Sequence, residues 1–208
     1  VIFLIHGKAK SGKDTVADYL VKKFNAKKLW YAKAIKDYAM KYFHFTHDEV
    51  YHKKNVHSRR ALLGIGDMFR DKVNQFYWLN LMISKIVSEV IHGQMNFVLS
   101  DCRLEEEIVE IYRAFYDVNK IFLKDDIVDY MRIRDGCNGS IAGTVRVPEI
   151  ECYSISVTRE NCPDIECGAD HSTENDLNDF KFDIVINNNG TIGDLHLKLD
   201  KTIDILGL

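Results

Sequence analysis

Proline is scarce in this chain of 208 residues, which has only two. With Lys, Asn, Ile, Tyr, Phe and Asp all plentiful, that bias marks AT-rich coding and says more about origin than about chemistry. No Cys-x-x-Cys pair occurs, although Cys137, Cys152, Cys162 and Cys167 crowd one region. Paired cysteines on a tight knuckle are what preset tetrahedral zinc geometry, so a zinc site is not expected there. An odd total of five cysteines without a regular framework points to reduced thiols. No apolar run approaches the roughly 20 residues needed to span a bilayer. The opening "VIFLI" is too short for a signal peptide and lacks a cationic flank, so the cytoplasm is the expected compartment. A start on Val1 rather than Met points to a trimmed N-terminus. Charge of one sign is also lacking: 28 basic residues against 31 acidic ones leave a net charge of −3. That balance offers no global attraction to nucleic acid or an anionic membrane. No internal repeat or low-complexity linker interrupts the chain.

The remaining pattern alternates apolar runs with helical spacing. Its length suits one domain, residues 1–208, with an inserted flap. "VIFLI", Val1–Ile5, has the continuous apolar character of a buried central strand. Val16, Ala17, Leu20, Val21 and Phe24 recur at helical spacing after Lys13. A short strand is expected over Lys28–Tyr31, and a second helix carries Ile35, Tyr38, Ala39, Tyr42 and Phe43. Further helices are predicted over Arg60–Val73, Trp78–Ile91 and Glu105–Phe115, and strands over Asn96–Asp101, Lys120–Lys124 and Phe182–Thr191. A last helix carries Leu195, Leu199 and Ile203. This alternation predicts an α/β fold with a parallel five-stranded sheet and helices on both faces. Gly136–Asn178, with "GTVRVPEIE" and "YSISVT", breaks the rhythm and reads as a β-rich flap between the last two strands.

Gly7-x-x-x-x-Gly12-Lys13 has phosphate-loop spacing and lies between the first strand and first helix. Glycines let the backbone curl until consecutive N–H groups point at phosphate oxygens, and the helix adds the positive end of its dipole. Residues Gly7, Lys8, Ala9, Lys10, Ser11, Gly12, Lys13, Asp14 and Thr15 are therefore the candidate nucleotide cradle. Asp14 stands where a hydroxyl usually ligates magnesium, and the hydroxyl moves to Thr15. A carboxylate beside a triphosphate repels it unless a cation intervenes. Asp14 then holds magnesium-bound water, orients a nearby Arg or Lys, or simply complements the helix dipole.

"GKAKSGKDTVADYL" resembles the phage deoxynucleoside monophosphate kinases. The resemblance continues through "RRALLGIGDMFRDKVNQFYWLNLM" (Arg59–Met82), "VLSDCR" (Val98–Arg103), "DHSTEN" (Asp170–Asn175) and "FDIVINNNGTIGDL", with Thr173 where that family has Ser. "GKAKSGKD", the Ser-Asp-Cys-Arg strand end and the closing segment are also similar to animal-type phosphomevalonate kinases. The Arg59–Trp78 segment favours the first family. Either resemblance implies a P-loop kinase three-layer sandwich with an acceptor-binding helical region at about 33–92 and a lid or flap at about 126–175. ATP and Mg2+ are the implied cofactors. A small phosphorylated acceptor is the implied partner, with no nucleic acid or membrane, and with a homodimer possible. A phage origin implies host cytoplasm.

Roles follow from the charge of such a transfer, in which alignment and electrostatics do most of the work. Arg59 and Arg70, with Arg60 as a spare and Lys36 on the second helix, are the candidate acceptor-phosphate ligands. Trp78 either stacks on an acceptor base or belongs to the core. Asp101 is expected to be the magnesium-side carboxylate, alongside Asp14 and Thr15 and acting through water, and Arg103 is near enough to contact either phosphate; a structural Asp–Arg pair is the alternative. "DDIVDYMRIRDG", Asp125–Gly136, resembles the helix leading into an adenylate-kinase lid, which makes Arg132 and Arg134 candidates for the transferring group alongside Arg146 and Arg159. The resemblance also implies that Asn189 and Gly190, within Asn187–Thr191, edge the adenine. The alternative is a turn chosen for backbone tolerance. His171 and Glu174 suit a polar hinge rather than base catalysis, because a phosphate acceptor is already ionised.

Overall fold

The computed structural model describes residues 1–53, 55–116, 148–160, 177 and 179–208. Its strands are β1 Ile2–His6, β2 Lys27–Leu29, β3 Phe97–Leu99, β4 Cys152–Thr158 and β5 Ile184–Asn187. Its α-helices are α1 Lys13–Phe24, α2 Tyr31–Phe43, α3 Val56–Lys72, α4 Tyr77–Ile91, α5 Glu105–Phe115 and α6 Ile192–Leu206. A π-helical turn, Asp48–His52, lies between α2 and α3. The described strands form one parallel five-stranded sheet in the order β2-β3-β1-β4-β5. The expected α/β architecture is present.

A central parallel strand is covered on both faces, which is why β1 is apolar at consecutive positions. Ile2 and Leu4 face a core built with Met82 and Ile86 of α4 and Ile108, Ile111 and Phe115 of α5. Phe3 and Ile5 face the opposite core, built with Val16 and Leu20 of α1 and Leu195, Leu199 and Ile203 of α6. These two cores make the three layers. A third cluster joins Ala39, Val50, Ile65, Phe69 and Trp78, giving the α2–α3–α4 region a core of its own. Local chemistry sets several helix starts. Asn55 accepts from the Ser58 amide at 2.8 Å, and Thr191 and Asp194 form a reciprocal capping box on α6.

The "YSISVT" segment corrects the sequence reading. It is not part of a flap: Cys152–Thr158 pairs in parallel with both β1 and β5 inside the sheet. Its Ser-Ile-Ser-Val alternation imitates a half-exposed strand, but Ser154 and Ser156 are buried. Asp183 makes that burial affordable. Its carboxylate accepts from the amide and hydroxyl of Ser154, both at 2.7 Å, and from the hydroxyl of Tyr112. The strand expected over 120–124 lies outside the described residues, as do Cys137, Cys162, Cys167 and most of the expected lid. Cys102 and Cys152 are buried free thiols. Among the described residues no helix is long and apolar enough to cross a membrane.

Candidate active site

The chain leaves β1 at His6 and curls through Gly7–Gly12 into α1. The Ser11 amide donates to the Lys8 carbonyl at 3.1 Å, and Lys10 and Gly12 both take positive φ, 64° and 98°. Glycine is needed at Gly7 for space. A Cβ there would lie 2.5 Å from Ser11 Oγ and 2.7 Å from the Val157 carbonyl. At Gly12 a Cβ would lie 2.1 Å from Asn188 Nδ2. Asn188 is 8% exposed and donates through Nδ2 to the Ser11 carbonyl at 2.8 Å. The residue following β5 thus braces the loop that follows β1. Lys8 and Lys10 are exposed, Ala9 and Thr15 partly buried, and Lys13 Nζ reaches the Lys8 carbonyl at 3.4 Å. The buried Ser11 hydroxyl without a described partner and the first amides of α1 fit a phosphate group.

Asp14 has a cation beside it. Lys28 Nζ, on β2, stands 3.5 Å from its carboxylate and 2.8 Å from that of Asp18. Among the described residues no three His, Cys, Asp or Glu side chains gather to hold a metal. Magnesium retained chiefly by phosphates and water is compatible with that arrangement.

Asp101 closes β3 and caps α2. Its two carboxylate oxygens accept from the amides of Tyr31 at 2.8 Å and Ala32 at 2.9 Å. Each oxygen keeps a second lone pair, so a water-mediated metal contact remains chemically open. Burial raises its pKa above the ordinary carboxylate value, opposed by those amides and by the charges of Arg103 and Lys36. The following turn abuts the phosphate loop. Cys102 donates its amide to the Ile5 carbonyl at 3.2 Å, and His6 Nδ1 lies 2.9 Å from the Cys102 carbonyl. Because a carbonyl only accepts, Nδ1 carries the proton there.

Glu107, which sequence reasoning missed, organises this turn from α5. Its Oε2 accepts from the amides of Arg103 at 2.7 Å and Leu104 at 3.2 Å. Burial pushes its carboxyl up to about 7, with Asp101 adding and the two amides and Arg70 opposing. The folded protein therefore holds this proton between the ordinary value of 4.5 and about 7, where the unfolded chain has released it. Stability is expected to fall as pH rises through that window, by roughly 3 kcal/mol from this group. Glu107→Gln keeps an acceptor for both amides and should remove that component. Denaturant unfolding from pH 4 to pH 8 tests it; an unaltered pH slope in the variant would exclude Glu107 as the source.

The tertiary structure brings Lys36 and Arg103 within electrostatic reach of Asp101, and Asp101 and Arg70 within electrostatic reach of Glu107. Lys36 is 9% exposed, and Arg103 is exposed. Arg70 pairs with Asp67 at 2.8 Å, and its guanidinium lies over Gly66, where a Cβ would meet it at 3.4 Å. Arg59 is partly buried and Arg60 exposed in the early turns of α3, and neither side chain is hydrogen-bonded or ion-paired to the described residues. Trp78 is corrected to the core. It is 5% exposed, packs on Phe69 and Tyr77, and donates its indole N–H to the Gly66 carbonyl at 3.0 Å. A side chain so enclosed has no free face for a base.

Asn189 and Gly190 are exposed beside the loop, with Asn189 Oδ1 accepting from the Glu160 amide at 2.8 Å. Arg159 is exposed just after β4, whereas Arg132, Arg134, Arg146, His171 and Glu174 lie outside the described residues. Of the residues that reasoning from sequence missed, Glu107 had a weak signal as a carboxylate in the first turn of a helix. Lys28 had none, and Asn188, although inside the Asn187–Thr191 loop, gave no sign of its contact with Ser11, because each acts on a segment distant in sequence.

No family model matches the chain, and no curated protein matches it. Among solved structures, shikimate kinase from Aquifex aeolicus aligns over 100% of this chain and 98% of its own, at 10% identity and a TM-score of 0.42. A chain from Chloroflexus aurantiacus provisionally described as a kinase aligns over 98% and 96%, at 11% identity and a TM-score of 0.37. Values this low carry no argument about activity.

Proposed function

We propose that the protein is an ATP-dependent deoxynucleoside monophosphate kinase. One observation carries the reading: the braced phosphate loop, against which the turn after β3 packs, bringing Asp101 with Arg103 on that turn and Lys36 of α2 within electrostatic reach of its carboxylate. A loop alone suits any nucleotide-binding protein. A second cluster of cations within reach of the same loop suits a second phosphorylated molecule.

In this reading the loop amides and Lys13 hold the terminal phosphates of ATP. Mg2+, when bound, supplies charge neutralisation to those phosphates. Thr15, Asp101 and Asp14, the last already beside Lys28, are the residues that would reach its waters. Lys36, Arg70 and Arg103 hold the acceptor phosphate, with Arg59 and Arg60 at the outer end of α3. The bond from the γ-phosphorus to the ADP oxygen breaks and one to an acceptor phosphate oxygen forms, giving ADP and a deoxynucleoside diphosphate. That oxygen is already ionised, so no general base is required. Arg132, Arg134, Arg146 or Arg159 would cover the transferring group, and Asn189 and Gly190 would edge the adenine.

A second acceptor, phosphomevalonate, presents the same phosphate without an aromatic base. The burial of Trp78 favours keeping it in view, since it removes the stacking residue expected for a base. A coupled assay of ADP release with dGMP, dTMP, dCMP and phosphomevalonate decides. Turnover with a deoxynucleotide is expected. Turnover with phosphomevalonate alone would reverse the assignment, and turnover with none would leave a nucleotide-binding protein without this activity.

A further inference from the structure

The π-helical turn Asp48–His52 has no part in the proposed reaction as described so far. Such turns have poorer backbone geometry than an α-helix and recur at functional positions. Val50 is completely buried in the α2–α3–α4 core, which anchors the turn, and the next residue is Tyr51. The Lys36 ammonium lies 4.1 Å from the centroid of the Tyr51 ring. The His47 ring lies 4.4 Å from the same ring at an interplanar angle of 22°. The Tyr51 ring is thus engaged by a cation and by a stacked imidazole.

An ammonium as enclosed as that of Lys36 needs compensation for its lost water. A ring face attracts an ammonium through its quadrupole, without itself carrying an opposite charge. A cation already held in place also loses less freedom when an anion binds.

We propose that Tyr51 is a positioning residue for the acceptor phosphate: its ring face holds the Lys36 ammonium, which like Arg103 lies within electrostatic reach of Asp101. This rests on reading Lys36 as a phosphate ligand and extends the site onto the π-helical turn. The phenolic oxygen takes no part. The ring is the functional element, and any aromatic residue should serve.

The test follows the ε-methylene NMR signal of Lys36, assigned with Lys36→Arg, during titration with inorganic phosphate. In the wild type the ring shields this signal, and phosphate shifts it. Tyr51→Phe should keep the shielding and bind phosphate within about twofold of the wild type. Tyr51→Leu should lose the shielding and bind about tenfold more weakly, equivalent to about 1.4 kcal/mol. Tyr51→Met replaces Tyr51→Leu if the latter does not fold. With a deoxynucleotide acceptor, the ringless variant should raise the acceptor KM about tenfold and leave the ATP KM unchanged. Phosphate binding by Tyr51→Leu equal to wild type would overturn the proposal, and so would equal weakening in Tyr51→Phe. If the wild type phosphorylates no deoxynucleotide, the kinase reading fails while the phosphate titration still decides the role of Tyr51.

Discussion

Lys13→Ala should lower turnover by about a thousandfold or more while leaving the fold intact. The magnitude is that of removing a preorganised charge aimed at the developing transition state. As the γ-phosphoryl group leaves, negative charge grows on the oxygen it departs from, and an ammonium at the start of α1 can follow it. The stability effect should be small for a local reason. Lys13 is only partly buried, and its hydrogen bond to the Lys8 carbonyl, at 3.4 Å, is too long to contribute much. The melting temperature is expected to stay within about 2 °C of the wild type. ADP release measured beside a thermal melt checks both halves. A folded variant with near-normal turnover would remove Lys13 from the reaction, and the loop assignment with it.

Gly12→Ala is expected to weaken ATP binding by roughly a hundredfold, equivalent to about 2.7 kcal/mol. Two independent costs arise at this residue. The added Cβ would sit 2.1 Å from Asn188 Nδ2, far inside contact distance, so the amide that holds the Ser11 carbonyl must move. The φ of 98° is also one that L-residues rarely adopt, at a cost of about 1–3 kcal/mol. Gly12→Ala combined with Asn188→Gly relieves the overlap and not the backbone strain, so it should recover only part of the loss. Asn188→Ala alone leaves the glycine in place and should cost about tenfold. Calorimetric titration with a non-hydrolysable ATP analogue separates the three variants. Wild-type affinity in Gly12→Ala would show that Asn188 and the left-handed turn are dispensable to the cradle.

The phosphate loop was legible because its chemistry is local. Consecutive amides form the cradle, so the spacing of Gly7, Gly12 and Lys13 carries it. The limits of α5 were legible for a related reason. The expected span Glu105–Phe115 coincides with it, because its apolar period of buried Ile108, Ile111 and Phe115 is written within a single element, whereas α3 begins at Val56, one turn before the expected Arg60. β4 was misread because alternating Ser and Ile has the period of an exposed hairpin. Only a distant Asp183 lets Ser154 be buried. Trp78 was ambiguous in sequence, since a stacking platform and a core residue have the same composition. Its enclosure by Phe69 and Tyr77 resolved it.

From sequence alone came the alternation of strand and helix, the position of the phosphate loop and the supply of arginines and lysines for a second anion. The tertiary structure decided which of those cations meet. Lys36 and Arg103 come within electrostatic reach of Asp101 and Arg70 within reach of Glu107, whereas Arg59 and Arg60 lie at the start of α3. It also supplied Asn188 as the brace of the loop, Lys28 as the counter-charge of Asp14 and Tyr51 as the neighbour of Lys36. The physical reason is range. Backbone curvature and helical period are set by neighbours along the chain, but burial, charge pairing and ring contact depend on distance in space, which only the packed sheet and helices determine.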